Sequence, residues 1–237
     1  MDPVVRVGDT VRRVAGEWTP AVHRLLDVLA GAEITQIPRA MGVDERGREV
    51  LSYLPGRQLT NAPPDVLWSE RVLVQAAQLL RRIHDASEPL VHEGSLSWRA
   101  PIREPVEVVC HNDFATYNLI ERDGVLVGAI DFDYASPGPR LWDLAYLAYR
   151  IVPYVEDAYG AQDLDRDDRL STLINAYGTS ASPAAVRACM ADRLDDLRAF
   201  TLKIARRTGR RELLDHAAMY GRDAVRLRDP AVAGDIR

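Results

Sequence analysis

The chain has 237 residues, with 30 Lys+Arg against 35 Asp+Glu and a formal net charge of −5. That length supports one large domain or two small lobes, and the mildly acidic balance argues against sequence-independent nucleic-acid binding. Apolar content of 47% argues against disorder, and the longest uncharged stretch, Leu170 to Val186, is too polar to span a bilayer. Charges at Asp2, Arg6, Asp9, Arg12 and Arg13 interrupt any signal-peptide core, and two cysteines, Cys110 and Cys189, make no disulfide framework. A cytoplasmic protein is expected.

In chain order, Val4-Val5-Arg6-Val7 and Thr10-Val11-Arg12-Arg13-Val14 read as a hairpin around Gly8-Asp9. Pro20 starts a helix with Thr19 as N-cap and a stripe of Val22, Leu25, Leu26 and Leu29. A second hairpin joins Arg39–Val43 to Glu49–Leu54, and Pro55-Gly56 closes it. Beyond a Pro-rich link, Asn61 to Asp65, the spacing of Leu73, Ala76, Leu79, Leu80 and Ile83 predicts a long helix. Val106 to Cys110 reads as a strand, and a hairpin turns at Asp123-Gly124 between Asn118-Leu119-Ile120 and Val125–Ile130. Everything after Arg140 reads as helix, with one stripe over Val186, Met190, Leu194, Leu197, Thr201 and Ile204 that Gly209 ends. A second stripe runs over Leu213, Leu214, Ala217, Ala218 and Val225. The organisation is a small β-rich lobe followed by a larger, mainly helical one.

Chemistry concentrates in His111-Asn112-Asp113-Phe114-Ala115-Thr116-Tyr117-Asn118 and in Ile130-Asp131-Phe132-Asp133. A strand before His111 and a hairpin after Asn118 pin both ends of a loop that carries the Asp113 carboxylate. The hairpin's second strand, ending at Asp131, returns another carboxylate beside Asn118. A carboxylate and an amide oxygen at neighbouring strand ends suit a hard cation such as Mg²⁺, with room left for phosphate oxygens. Asp113 is then free to orient a hydroxyl nucleophile, the arrangement phosphoryl transfer requires. The plain alternative is that Asp113 and Asn118 only cap the loop and Asp131 only ends a strand.

These motifs resemble the His-x-Asp-x-x-x-x-Asn catalytic loop and the Asp-Phe metal motif of protein kinases. The sequence looks like the aminoglycoside phosphotransferase and choline-kinase-like family, relatives of those kinases, over most of its length. Leu80-Arg81-Arg82-Ile83-His84 is similar to the family's helix ending in Leu-His. Trp142-Asp143-Leu144-Ala145 resembles its Asp-Leu-Ala helix start, and Leu54-Pro55-Gly56 resembles its inter-lobe linker. The resemblance implies an α+β, protein-kinase-like two-lobed fold, with an N-lobe at 1–56 and a catalytic and acceptor-binding C-lobe at 57–237. It implies Mg²⁺-dependent transfer of the γ-phosphoryl group of ATP (or GTP) to a hydroxyl of a small molecule. By that match Asp113 is the catalytic base, Asn118 and Asp131 bind Mg²⁺, and the backbone of Ser52 and Leu54 faces adenine. A pseudokinase-like protein that binds nucleotide or a small molecule without turnover is the rival. Nucleic acid and membrane are not expected as partners, and the oligomeric state stays open.

Two departures from the family pattern stand out. Thr10-Val11-Arg12-Arg13 looks like the strand bearing the phosphate-binding cation, yet only three residues precede Val4. The family's first strand and phosphate-covering loop are therefore expected to be missing. Alternation puts Val11 and Arg13 on one face, which makes Arg13 the phosphate cation. The helix that would offer its Glu partner has Val22-His23 instead.

Other residues have plainer expectations. His111 buttresses the loop, and His84 packs and caps its helix. Asp143 caps a helix or braces the catalytic loop. Asp133, on the strand face of Asp131, either reaches metal or substrate or is a paired structural carboxylate. Cys110 is a buried strand residue. The acids Glu156, Asp157, Asp163, Asp165, Asp167, Asp168, Asp192, Asp195 and Asp196 would form either an acidic wall for a cationic acceptor or a solvated face interleaved with Arg. Trp98, Trp142, Tyr146, Tyr149 and Tyr154 belong to a pocket or to the core.

Overall fold

Arg13 and Glu49 lie opposite one another in a four-stranded antiparallel sheet, the scaffold of the smaller lobe. The structure, a computed structural model, describes residues 4–156 and 158–229. Strands β1 (Val5–Val7) and β2 (Thr10–Val14) form the first expected hairpin, with Gly8 at φ +60°. Helix α1 (Thr19–Gly31) follows and buries Val22, Leu25, Leu26 and Leu29. Its N-cap is Trp18, without a side-chain cap; Thr19 is the first helical residue, and its hydroxyl accepts from Gly16 N at 2.9 Å. Strands β3 (Ala40–Val43) and β4 (Arg48–Ser52) complete the sheet in the order β1-β2-β4-β3. The sheet leaves β1 as an edge, and among the described residues no strand lies beyond it.

At Gly56 the chain crosses to the second lobe. A Cβ there would lie 2.4 Å from Ile120 Cγ2 and 2.6 Å from Glu121 O, so this crossing requires glycine. Strand β5 (Arg57–Gln58) pairs with the later hairpin. The Pro-rich link is more ordered than its composition suggests: a 3₁₀ turn, Leu59–Asn61, and the short helix α2 (Pro64–Leu67) occupy it. Helix α3 (Glu70–Ser87), capped by Ser69, buries the whole expected stripe. Cutting one of those leucines to alanine would cost about 2–5 kcal/mol. Strand β6 (Val108–Cys110) precedes the loop 111–118, and β7 (Leu119–Arg122) and β8 (Val125–Ala129) follow it. Asp123 and Gly124, at φ 55° and 73°, make the tight turn between them.

Strand β9 (Ser136–Gly138) pairs with β6, and helices α4 (Arg140–Ile151), α5 (Arg166–Tyr177), α6 (Pro183–Thr208) and α7 (Glu212–Arg228) build the rest. The continuous helical reading after Arg140 fails between α4 and α5, where Pro153 and Gly160 interrupt it. Gly209, at φ +70°, ends α6 as its sequence position indicates. Val186, Met190 and Leu194 are buried, but Leu214 and Val225 are exposed, so the last stripe is only half covered. One apolar core runs from α1 through α3 and β6–β8 to α4, α5 and the first half of α6. Among the described residues, no helix is long and apolar enough to cross a membrane.

Candidate active site

The loop 111–118 is fixed from behind by one buried carboxylate. Asp143, in the first turn of α4, accepts from His111 N at 2.7 Å and from Asn112 N at 2.9 Å. It therefore braces the loop and does not cap its helix. Burial opposes its charge, but His84 and His111 outweigh that, and its pKa is lowered. His84 is correspondingly no cap. It is fully buried, with Nε2 3.1 Å from Asp143 Oδ2 and Nδ1 2.7 Å from the Tyr177 hydroxyl. His111 buttresses the loop as expected: Nε2 donates to Ile130 O at 3.0 Å, and Nδ1 accepts from Asp113 N at 3.2 Å. Cys110 lies with His84 and Asp143 in a buried cluster, but its thiol donates to Pro139 O at 3.3 Å, and burial raises its pKa well above normal.

Asp113 is held on both oxygens. Asn118 Nδ2 donates to its Oδ2 at 2.9 Å, and the Tyr117 hydroxyl donates to its Oδ1. Burial raises the Asp113 pKa and the Tyr117 hydrogen bond opposes that rise. The Tyr146 hydroxyl stands 2.8 Å from that of Tyr117, so at least one of the aromatic residues of α4 belongs to the site. Arg193 of α6, stacked 5.0 Å from the rings of Trp142 and Tyr146, donates to Asn112 O.

Strand β8 stops at Ala129, two residues short of Asp131. Asp131 instead adopts a left-handed conformation, φ 67°, and Phe132–Tyr134 wind into a 3₁₀ turn. Strand alternation therefore does not relate Asp131 to Asp133; the turn brings both carboxylates to Arg13. Arg13 Nη1 donates to Asp131 Oδ1 at 2.8 Å, and Nη2 lies 2.5 Å from Asp133 Oδ1. The Nε of Arg13 donates to Glu49, whose other oxygen is 3.0 Å from His23 Nε2. The carboxylate that pairs with Arg13 thus comes from a strand and not from the helix, and His23 of α1 touches it. Burial works against the Arg13 charge, but Asp133, Glu49 and Asp131 outweigh it and raise its pKa.

Val11, Arg13, Ser52, Leu54, Asn118 and Asp131 line one cleft of about 440 Å³ between the lobes. All the nucleotide and metal candidates therefore meet, and Asp113 joins them through Asn118. Leu54 N makes no backbone hydrogen bond among the described residues, as an adenine-facing donor requires. Asn118 spends its amide N–H groups on Asp113, which leaves Oδ1, and the Asp131 side chain is 45% exposed. Two hard oxygen donors at one end of a cleft fit a Mg²⁺ or Ca²⁺ ion.

Five of the acids pair with arginines. Asp192 and Asp195 pair with Arg228, Asp196 with Arg103, Asp167 with Arg187 and Glu156 with Arg222. Asp165 caps α5, and Asp163, Asp165 and Asp168 line a separate cavity of about 210 Å³ beside Glu70 and Arg169; none of the acids lines the cleft between the lobes, and Asp157 lies outside the described residues. Reading the sequence alone overlooked Glu49 and Tyr117. The first carried a usable signal, since Glu49 is an acid next to the apolar Val50 and Leu51 on the strand of a hairpin near Arg13.

The sequence profile of the phosphotransferase enzyme family matches residues 4–104 and 95–189. The trifolitoxin immunity protein of Rhizobium leguminosarum bv. trifolii is 34% identical over 189 residues, which cover 75% of this chain and 70% of that protein. The fold is similar to a choline/ethanolamine kinase family protein from Mesorhizobium loti (TM-score 0.64, 19% identity), over 97% of this chain and 86% of that one. It is similar also to an amicoumacin kinase in complex with AMP-PNP, Ca²⁺ and Ami (TM-score 0.62, 13% identity), over 95% and 87% of the two chains.

Proposed function

This chain belongs to the phosphotransferase enzyme family, and on that premise we propose that it is an ATP-dependent kinase of a small-molecule hydroxyl. The observation that carries the reading is the contact chain around one cleft: Arg13 to Asp131, and Asn118 to Asp113. The acceptor oxygen bonds to the γ-phosphorus, and the bond from that phosphorus to its bridging oxygen breaks. The acceptor proton passes to Asp113, and the electron pair leaves on ADP. Tyr117 and Asn118 hold the Asp113 carboxylate for that task, and Asp143 holds the loop beneath it. Arg13 offsets phosphate charge, with Glu49 setting its direction. Asn118 and Asp131 would hold Mg²⁺, whose charge, when bound, offsets that of the phosphate oxygens.

The relatives named for trifolitoxin immunity and for amicoumacin support a toxin or antibiotic-like metabolite as the acceptor class to screen first. We place the reaction in the cytoplasm, with a small molecule as partner in place of nucleic acid or membrane. The test is ADP release over an acceptor panel, with and without Mg²⁺, using Asp113→Asn as control. Acceptor-dependent ADP that the variant fails to release supports the reading. Nucleotide binding with no ADP from any acceptor would favour a pseudokinase.

A further inference from the structure

We propose that Arg193 of α6 is a positioning residue for transfer, acting on the peptide between Asn112 and Asp113. Through that peptide it aims the Asp113 carboxylate at the acceptor hydroxyl. The inference rests on the kinase reading above, which gives α6 no part. Both edges of the peptide are held by side chains. Arg193 Nη2 donates to Asn112 O, and Asp113 N donates to His111 Nδ1 at 3.2 Å. The peptide is planar, so it cannot turn over without losing both bonds. Its orientation sets the direction in which Asp113 leaves the loop.

Asn112 needs such a grip. Its φ is +62°, in the left-handed region that a residue with a Cβ enters at a cost. Asp143 of α4 accepts from its N–H at 2.9 Å, and Tyr134 O and Ser136 Oγ accept from its Nδ2 at 2.9 and 2.8 Å. Arg193 takes its carbonyl, the side of Asn112 that continues into Asp113. A second route joins Arg193 to the carboxylate itself. Its guanidinium lies 5.0 Å from the Tyr146 ring, and the Tyr146 hydroxyl is 2.8 Å from that of Tyr117, which donates to Asp113 Oδ1. Backbone and side chain of Asp113 thus close one ring of contacts through Arg193. The Trp142 ring lies against the same guanidinium, also at 5.0 Å, and Arg193 is only 5% exposed. Burying a guanidinium costs free energy that a close carboxylate ordinarily offsets. Among the described residues its ion-pair partner, Asp196, stands 3.9 Å away and accepts from Arg103. The close-range bond that Arg193 makes is the one to the catalytic loop. Arg193 itself makes and breaks no bond in transfer, and its effect runs through Asp113 alone.

The test compares wild type with Arg193→Met and Arg193→Lys. Hydrogen exchange read by mass spectrometry reports the loop 111–118, with α1 in the other lobe as reference. Arg193→Met should speed exchange in the loop about tenfold and leave α1 unchanged. Its kcat for ADP release from Mg²⁺·ATP, with the acceptor that the panel selects, should fall about 10²-fold. Acceptor KM and Mg²⁺·ADP affinity should stay within about threefold, because neither ligand is bound by Arg193. Arg193→Lys keeps the charge and a donor for Asn112 O, and should recover about tenfold of the lost kcat. Loop exchange or kcat that Arg193→Met leaves at the wild-type level overturns the role. A parallel loss of kcat, nucleotide affinity and α1 protection in both variants also overturns it, since that marks a purely structural residue. Should Arg193→Met fail to fold, Arg193→Lys decides: it should stand about tenfold below wild type in kcat alone, and wild-type kcat or an equal loss of nucleotide affinity overturns the role. Wild type that binds Mg²⁺·ADP but releases no ADP with any acceptor overturns the kinase reading itself, and this role with it.

Discussion

Glu49 faces Arg13 directly across the β2–β4 pair, and its carboxylate accepts the guanidinium's Nε. Kinases position their phosphate cation with a Glu from a helix. Here the same charge comes from the neighbouring strand, and the helix contributes His23 as the partner of Glu49. A strand-borne partner in fixed register leaves Arg13 less dependent on the placement of α1. Glu49→Gln should therefore weaken Mg²⁺·nucleotide binding by about tenfold, because Arg13 is left to Asp131 and Asp133 alone. His23→Ala should weaken it less. Equal nucleotide affinity in wild type and Glu49→Gln, measured by calorimetry, would sink the positioning role.

Asp113 is the residue whose loss should silence transfer without emptying the site. Asp113→Asn should lower kcat by about 10²–10⁴-fold while nucleotide affinity stays near wild type. The pH dependence has a definite sign. A general base works deprotonated, and burial raises the Asp113 pKa, so kcat/KM should rise with pH through an inflection above the ordinary carboxylate range. Tyr117→Phe removes the hydrogen bond that opposes the rise, and the inflection should move to still higher pH. A pH–rate profile that Tyr117→Phe leaves in place would separate the phenol from the base.

The catalytic loop was legible in the sequence because its chemistry is local: His111, Asp113 and Asn118 sit within one short loop whose flanking strands declare themselves. The two hairpins and α3 were legible for the same reason, through turn residues and a clean apolar period. What escaped notice depends on partners distant in sequence. The pairing of Glu49 with Arg13 needs the register of β2 on β4. His84 read as a helix end because nothing local reveals Asp143, 59 positions away, as its partner. The end of β8 was placed late because the apolar Ile130 and Phe132 on either side of Asp131 look like a continuing strand, while a left-handed Asp131 ends it. The family resemblance pointed to Asp113, Asn118 and Asp131, and it gave no sign of the Glu49 that pairs with Arg13.

Asp143 couples the catalytic loop to stability. Its pKa is lowered in the folded protein, so its contribution is present above the ordinary carboxylate pKa of about 4 and is lost as pH falls through the lowered value. Asp143→Ala leaves the His111 and Asn112 N–H groups and the His84 ring without their buried acceptor. The expected cost at neutral pH is about 3–5 kcal/mol. Chemical denaturation at pH 7 and at pH 3 checks both statements: the variant should be much weaker at the first and closer to wild type at the second. A constant gap across that range would contradict the assignment.

Asp131 is contested between Arg13 and a cation. Arg13 donates to its Oδ1 at 2.8 Å, and the same carboxylate is the one charged ligand in the pair it forms with Asn118. Removing the carboxylate removes the cation's main attraction, so Asp131→Ala should abolish Mg²⁺-dependent nucleotide binding. Arg13 would stay anchored by Glu49 and Asp133, and the fold should survive the change. Removing the competitor should act in opposite directions on two ligands. Arg13→Gln should bind Mn²⁺ alone more tightly than wild type, because Asp131 no longer shares its charge with a guanidinium. The same variant should bind Mg²⁺·ATP about tenfold more weakly, because the phosphates lose their cation. Calorimetric titrations of Mn²⁺ and of Mg²⁺·ATP into the three proteins separate these effects. If Arg13→Gln weakens both ligands together, Arg13 supports the metal site and does not compete with it. If Asp131→Ala binds Mg²⁺·ATP as wild type does, the cation is held elsewhere.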